Sequence, residues 1–322
     1  MISNRRAVFA WVLVLLAALP VRAGQAARVR TETRPGRQVP RTPDGHPDLQ
    51  GVWDFRTATP LERPRELQSQ EFLDDRDRAA VERRAAERLR VQSADDPLLN
   101  TPPWWLDYGR EVVRSNRSSL IVDPPDGRLP PMTPEGVKRQ NDQLAAREAA
   151  EGPEGLTPWD RCITKGVPAS MLPGAQNNNL QIVQTTDYVV IITEMIHEAR
   201  IVPMKTREPL PAVRAWTGAS RGRWEGDTLV VETGQFAANA RFAYASFLGS
   251  AGQLRLLERF TRIDAGTIDY RLTVDDSATW TKPWTVAVPL VKSDSPIYEY
   301  ACHEGNYSMQ NSLAAARTGE RR

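Results

Sequence analysis

The sequence predicts a mainly β protein, an antiparallel barrel or meander carrying a helical, Pro-rich insertion. From Leu180 onward apolar residues recur with a period of two, the pattern of strands with one buried face. Short Gly-containing turns, Glu225-Gly226-Asp227 and Asp264-Ala265-Gly266, join several of these strands with no helix between them, which makes neighbours antiparallel. The chain of 322 residues also holds 25 Pro, concentrated between Asp96 and Pro173, which interrupts regular structure there. Closure into a barrel is the simplest way for so many successive strands to remove their edges.

The chain opens with a basic start through Arg5-Arg6, an apolar run from Ala7 to Leu19 and a small-x-small site at Val21-Arg22-Ala23, the pattern of a cleaved export signal over residues 1–23. The apolar run is well short of the ~20 residues of a spanning helix, so no stable membrane anchor is expected after cleavage. Removing it takes three Arg and no acid, and turns a net charge of +2 into −1. That balance makes nucleic acid no leading partner. Residues 24–45 read as a flexible lead-in, with order beginning near His46 and a single barrel domain over 46–322.

Asp48 to Phe55 reads as a first strand entered through Gly51 and anchored by Trp53 and Phe55. The insertion, at about 60–155, begins with a helical stretch from Arg65 to Gln92 whose i,i+4 opposite charges mark a solvated face. Pro-rich text then forces extended or turned backbone around Pro102-Pro103-Trp104-Trp105 and Asp123-Pro-Pro-Asp-Gly127. Thr133 caps a second helix with Pro134 at its first position, and Gly152-Pro153 stops it. The meander is read as Leu180–Thr185, Tyr188–Met195, Ile196–Met204, Arg221–Trp224, Thr228–Thr233, Leu254–Asp264, Thr267–Asp275, Trp284–Lys292 and Ile297–His303.

In an oxidising compartment the two cysteines most simply form one disulfide, Cys162–Cys302, two buried thiols being the alternative. The bridge would bring Asp160 and Arg161 beside His303 and Glu304, because bridged Cα atoms lie about 4.4–6.8 Å apart. Only three His occur, His46, His197 and His303. His46 reads as a surface turn residue. If Tyr188 to Val202 is one bent strand, His197 shares the inward face with Ile191 and Met195, while Glu194, Glu198 and Arg200 project outward. His303 and its carboxylate neighbours form a general acid/base group. We therefore take His197, His303, Glu304 and Asp160 as candidate catalytic residues, with Arg161, Asn178, Trp104, Trp105 and Tyr300 as candidate ligand contacts; a core or structural role is the alternative for each. No H-x-H or H-x-x-x-H spacing exists, so no metal is expected, and no phosphate loop, dinucleotide fingerprint or G-x-S-x-G elbow implies a cofactor or hydrolase fold.

Gly51-Val52-Trp53, followed by an antiparallel meander, resembles the lipocalin-like (calycin) barrels. That resemblance implies a Trp plugging one end and a small apolar ligand inside, although roughly 110 residues here separate the first strand from the meander. From Asp44-Gly45 onward the chain also resembles a widespread uncharacterised family of exported bacterial proteins, through Arg161-Cys162, Asn177-Asn178-Asn179, Glu194-Met-Ile-His-Glu198, Arg223-Trp-Glu-Gly-Asp-Thr228, Pro283-Trp284-Thr285 and Tyr300-Ala-Cys-His-Glu-Gly-Asn-Tyr307. The expected function is that of a periplasmic or secreted, cofactor-independent enzyme of lyase, isomerase or hydrolase type. It would act on a small organic molecule by His acid/base chemistry in a barrel pocket. The alternatives are a non-catalytic binder of an apolar or aromatic ligand and an envelope interaction module.

Overall fold

The computed structural model describes residues 39–67, 69–94, 106–149, 151–205, 213–237 and 252–319. The expected export signal, residues 1–23, and Trp104 and Trp105 lie outside them. The elements are β1 (Gly51–Asp54), α1 (Asp75–Ala94), β2 (Ile121–Asp123), α2 (Pro134–Ala149), β3 (Asn179–Gln184), β4 (Tyr188–Thr193), β5 (Ala199–Pro203), β6 (Ala219–Glu225), β7 (Thr228–Gly234), β8 (Arg255–Asp264), β9 (Thr267–Asp275), β10 (Trp284–Ser293) and α3 (Ser308–Gly319).

The strands form one antiparallel sheet curled into a nearly closed barrel, in the order β5-β4-β3-β1-β10-β9-β8-β7-β6, with β2 added on β10. Period-two alternation puts Ile268, Tyr270, Leu272 and Val274 of β9 and Trp284, Val286, Val288 and Leu290 of β10 in the core. The sheet is not one continuous meander. β1 is intercalated between β3 and β10, pairing Trp53 with Leu180 on one side and Lys292 on the other, and so unites a three-stranded and a five-stranded meander. Nine strands in the ring, each antiparallel to the next, leave the closing pair β5 and β6 running the same way. Side chains fill that seam: a Cβ on Gly222 of β6 would lie 2.5 Å from Met204 Sδ and 2.9 Å from Val202 Cγ1.

The two barrel ends differ. The far end carries the turns between β3 and β4, β6 and β7, and β8 and β9. Near it Trp53 is wholly buried, donates its indole N–H to Leu49 O (2.9 Å) and lies under the Arg262 guanidinium, 5.3 Å from the ring centroid. His46 stacks on Trp224 at 4.5 Å, and Arg41 pairs with Asp227, so the last residues of the expected lead-in are held by the barrel. The near end is where β1 finishes, β3 begins, β4 finishes and β5 begins. The insertion reaches the barrel through β2 on β10 and through a bridge between Met132 and Trp280. As expected, Thr133 caps α2, accepting from Gly136 N (3.0 Å) and donating to Ala278 O (2.8 Å).

Core side chains from every wall of the barrel pack into the lumen. Within it Arg200 meets Glu258 in a bidentate pair at 2.5 and 2.8 Å, and Tyr270 donates its hydroxyl to the same carboxylate at 2.9 Å. Glu258 and Tyr270 are 0% exposed and Arg200 is 4% exposed. Burial opposes the charge on Arg200, yet Glu258 holds its pKa above the ordinary value, and burial beside that carboxylate keeps Tyr270 protonated.

Three sequence expectations need correction. Tyr188 to Val202 is not one bent strand: the chain turns at Met195–His197, where Ile196 (φ 63°) and His197 (φ 52°) adopt consecutive left-handed conformations. The turn reverses the strand phase, so Arg200 points inward while His197 is exposed. Ile297 to His303 is irregular, with a tight turn in which Cys302 N donates to Tyr300 O (2.8 Å), and it pairs with no described strand; the chain goes on into α3, whose Leu313 packs on Leu156. The charged stretch from Arg65 divides into a short 3-10 turn at Arg65–Leu67 and α1. No helix among the described residues is long and apolar enough to cross a membrane.

Candidate functional site

Cys162 and Cys302 form the disulfide, with Cα atoms 5.7 Å apart and a sequence separation of 140. It ties the segment after β10 to the loop ahead of β3. From Ser293 at the far end this segment returns to the near end, where His197 holds it. His197 Nε2 lies 3.1 Å from Tyr298 O, and the ring accepts from Tyr300 N at 3.0 Å. Two consecutive left-handed residues thus place an exposed imidazole where it clamps a strap through main-chain contacts.

Between the strap and the near end lies a cleft of about 1160 Å³. Five carboxylates line it, Asp107, Asp160, Glu194, Glu299 and Glu304, together with the rings of Trp159, Tyr298 and Tyr300 and the amides of Gln176, Asn177, Asn179 and Asn306. No Lys, Arg or His is among its described lining residues. Glu194 is 4% exposed and fixed from both sides, accepting from Asn179 Nδ2 at 2.6 Å and Tyr298 N at 3.4 Å. Asp160 accepts from Thr157 N (3.1 Å) and Oγ1 (2.7 Å), with Arg147 at 3.9 Å. Asp107 pairs with Arg56, which also holds Asp54 at 2.6 Å. Burial nevertheless raises the Asp107 pKa; Arg56 opposes the shift, and the carboxylates of Asp54 and Glu194 add to it. Glu299 and Glu304 are exposed and form no ion pair among the described residues.

The sequence candidates divide accordingly. Asp160, Glu304 and Tyr300 line the cleft beside Cys302. His303 is exposed in the turn after Cys302, and neither it nor the half-buried Arg161 is among the lining residues. Asn178 is 1% exposed and works as a wall tie: its Oδ1 accepts from Gly174 N (2.7 Å), and its Nδ2 donates to Asp107 O (2.9 Å) and Gly174 O (3.1 Å). Neither His197 nor His303 is among the described residues that line the cleft.

Sequence reasoning missed Asp107, which stands in no motif, and the role of Glu194, which stands within a family segment, since their proximity depends on the loop before β3. It also missed Lys165, 3% exposed, whose pKa burial pushes down to about 8. Next to it Thr164 bonds the Glu198 carboxylate; burial raises the Glu198 pKa, against that hydrogen bond. A lone Lys in loop text gives no signal of burial.

No family model, curated protein or solved structure matches the chain. The expected membership in a family of exported bacterial proteins therefore gains no support from comparison. The nearly closed antiparallel barrel is compatible with a lipocalin-like fold.

Proposed function

We propose that the protein binds a small organic cation, an amine or quaternary ammonium compound, in the cleft between the barrel's near end and the disulfide-tied strap. The observation that carries this is the lining itself: five carboxylates and three aromatic rings with no basic side chain among the described lining residues. Such walls concentrate cations through their field, and aromatic faces add cation–π attraction. The expected small-molecule role is kept, but it moves from the lumen to the barrel end and from imidazole to carboxylate chemistry. A disulfide also supports an exported, periplasmic or secreted protein, since such bonds persist in oxidising compartments.

The test is titration with spermidine and benzyltrimethylammonium, followed by Trp fluorescence and calorimetry, with maltose as neutral control. Saturable cation binding that weakens with salt is expected. Binding of maltose alone, or no cation binding at low salt, would overturn the reading. A second reading, favoured by the raised Asp107 pKa, makes Asp107 a general acid beside Glu194. Nitrophenolate release from aryl glycosides or esters that Asp107→Asn abolishes would favour it; release unchanged in that variant would remove it.

A further inference from the structure

A second cavity, of about 420 Å³, lies on the other side of the wall that Asn178 ties together. The wall is one chain thick. Asp107 and Gln176 line the acidic cleft, while their neighbours Tyr108 and Ala175 line the second cavity, and Asp107 N donates to Ala175 O across the wall at 2.7 Å. Adjacent residues of an extended chain face opposite ways, so two short segments serve both cavities.

The chemistry of the second cavity is the reverse of the first. Its walls are apolar, with Leu61, Leu120 and Leu172 on one side and Val81 and Ala85 of α1 on the other. Arg84 and Arg88 line it too, one helical turn apart, and no acid is among its described lining residues. Arg84 also meets Glu66 at 2.8 Å, but both side chains are more than half exposed, a setting in which an ion pair contributes little. The volume lies in the range of small-molecule sites, and guanidinium groups suit planar oxyanions. We propose that this cavity is a separate binding site for an amphipathic organic anion, a carboxylate- or sulfate-headed molecule whose apolar body lies between α1 and the Pro60-to-Leu61 segment and whose head meets Arg84 and Arg88. The proposal is independent of what the acidic cleft binds.

Calorimetric titration of the full chain with decanoate, decyl sulfate, decanol and decyltrimethylammonium tests it. Decanoate and decyl sulfate are expected to bind with one molecule per chain, and any binding of the ammonium compound, which the acidic cleft would take, to be unchanged by the cavity variants below. Arg84→Gln/Arg88→Gln should weaken decanoate by about tenfold or more, as loss of charge-assisted hydrogen bonds does, and leave decanol unchanged. Ala85→Trp, which fills the cavity from a half-buried helix position, should abolish binding of both anions. If Ala85→Trp does not fold, the arginine variant on its exposed helix face decides alone. Decanol binding as tightly as decanoate, or full decanoate affinity in the arginine variant, would overturn the proposal.

Discussion

The barrel lumen and the cleft at its near end both hold charge, but only the lumen balances it. Inside, Arg200, Glu258 and Tyr270 satisfy one another in a fully buried network. Outside, five carboxylates share one cleft, and Arg56 and Arg147 reach only two of them. The difference separates charge that specifies a core from charge that, under the proposed function, is available to a ligand. A buried ion pair must be complete because an isolated buried charge is very costly, whereas a solvated cleft tolerates an excess of one sign.

The largest effect should come from breaking the lumen. Glu258→Gln leaves Arg200 buried opposite a neutral amide and should cost about 3–5 kcal/mol in denaturant unfolding. Spermidine binding per folded molecule should not change; a loss of less than about 1 kcal/mol would erase the distinction between the two regions. Next, Asn178→Ala strands Gly174 N–H and the carbonyls of Gly174 and Asp107 and should cost about 2–4 kcal/mol. Unlike the lumen variant, it should also weaken spermidine binding, since the wall carries Asp107.

Lys165 sharpens the contrast from the buried segment behind the cleft. Its folded pKa of about 8 lies below the ordinary 10.5, so between these values the unfolded chain binds the extra proton and stability must rise with pH. We expect a gain of about 2–3 kcal/mol from pH 8 to pH 10.5 that is missing in Lys165→Met, measured by urea unfolding across that range. The smallest effect on stability belongs to Glu304→Gln, within about 0.5 kcal/mol as for other exposed substitutions, with spermidine affinity lowered several-fold. Unchanged affinity there would place the cation elsewhere.

Strand identity was legible wherever alternation was clean. Thr267–Asp275 is found as read, and Trp284–Lys292 extends by one residue, because their apolar positions occupy one face without interruption. What could not be read was phase. Ile196 and His197 carry no Gly or Asn to announce left-handed backbone, so the reversal that sends Arg200 inward and His197 outward left no mark in the text. The disulfide was legible from cysteine count, and with it the proximity of Asp160 to Glu304. The ion pair of the lumen was not: Arg200 and Glu258 are far apart in sequence, and Arg200 reads as projecting outward. The place of β1 likewise depended on long-range pairing that local pattern does not encode.

That place has a consequence for how the molecule assembles. β1 leaves the ribosome before its neighbours, yet Trp53 waits for Leu180 on one flank and for Lys292, near the end of the chain, on the other. Until then the two meanders each expose an open edge, on β3 and on β10, of the kind that recruits strands from other chains. The N-terminal strand is thus a keystone that is cut first and set last, and ring completion becomes a late, high-contact-order event. An unfinished chain is correspondingly the form most exposed to misassembly.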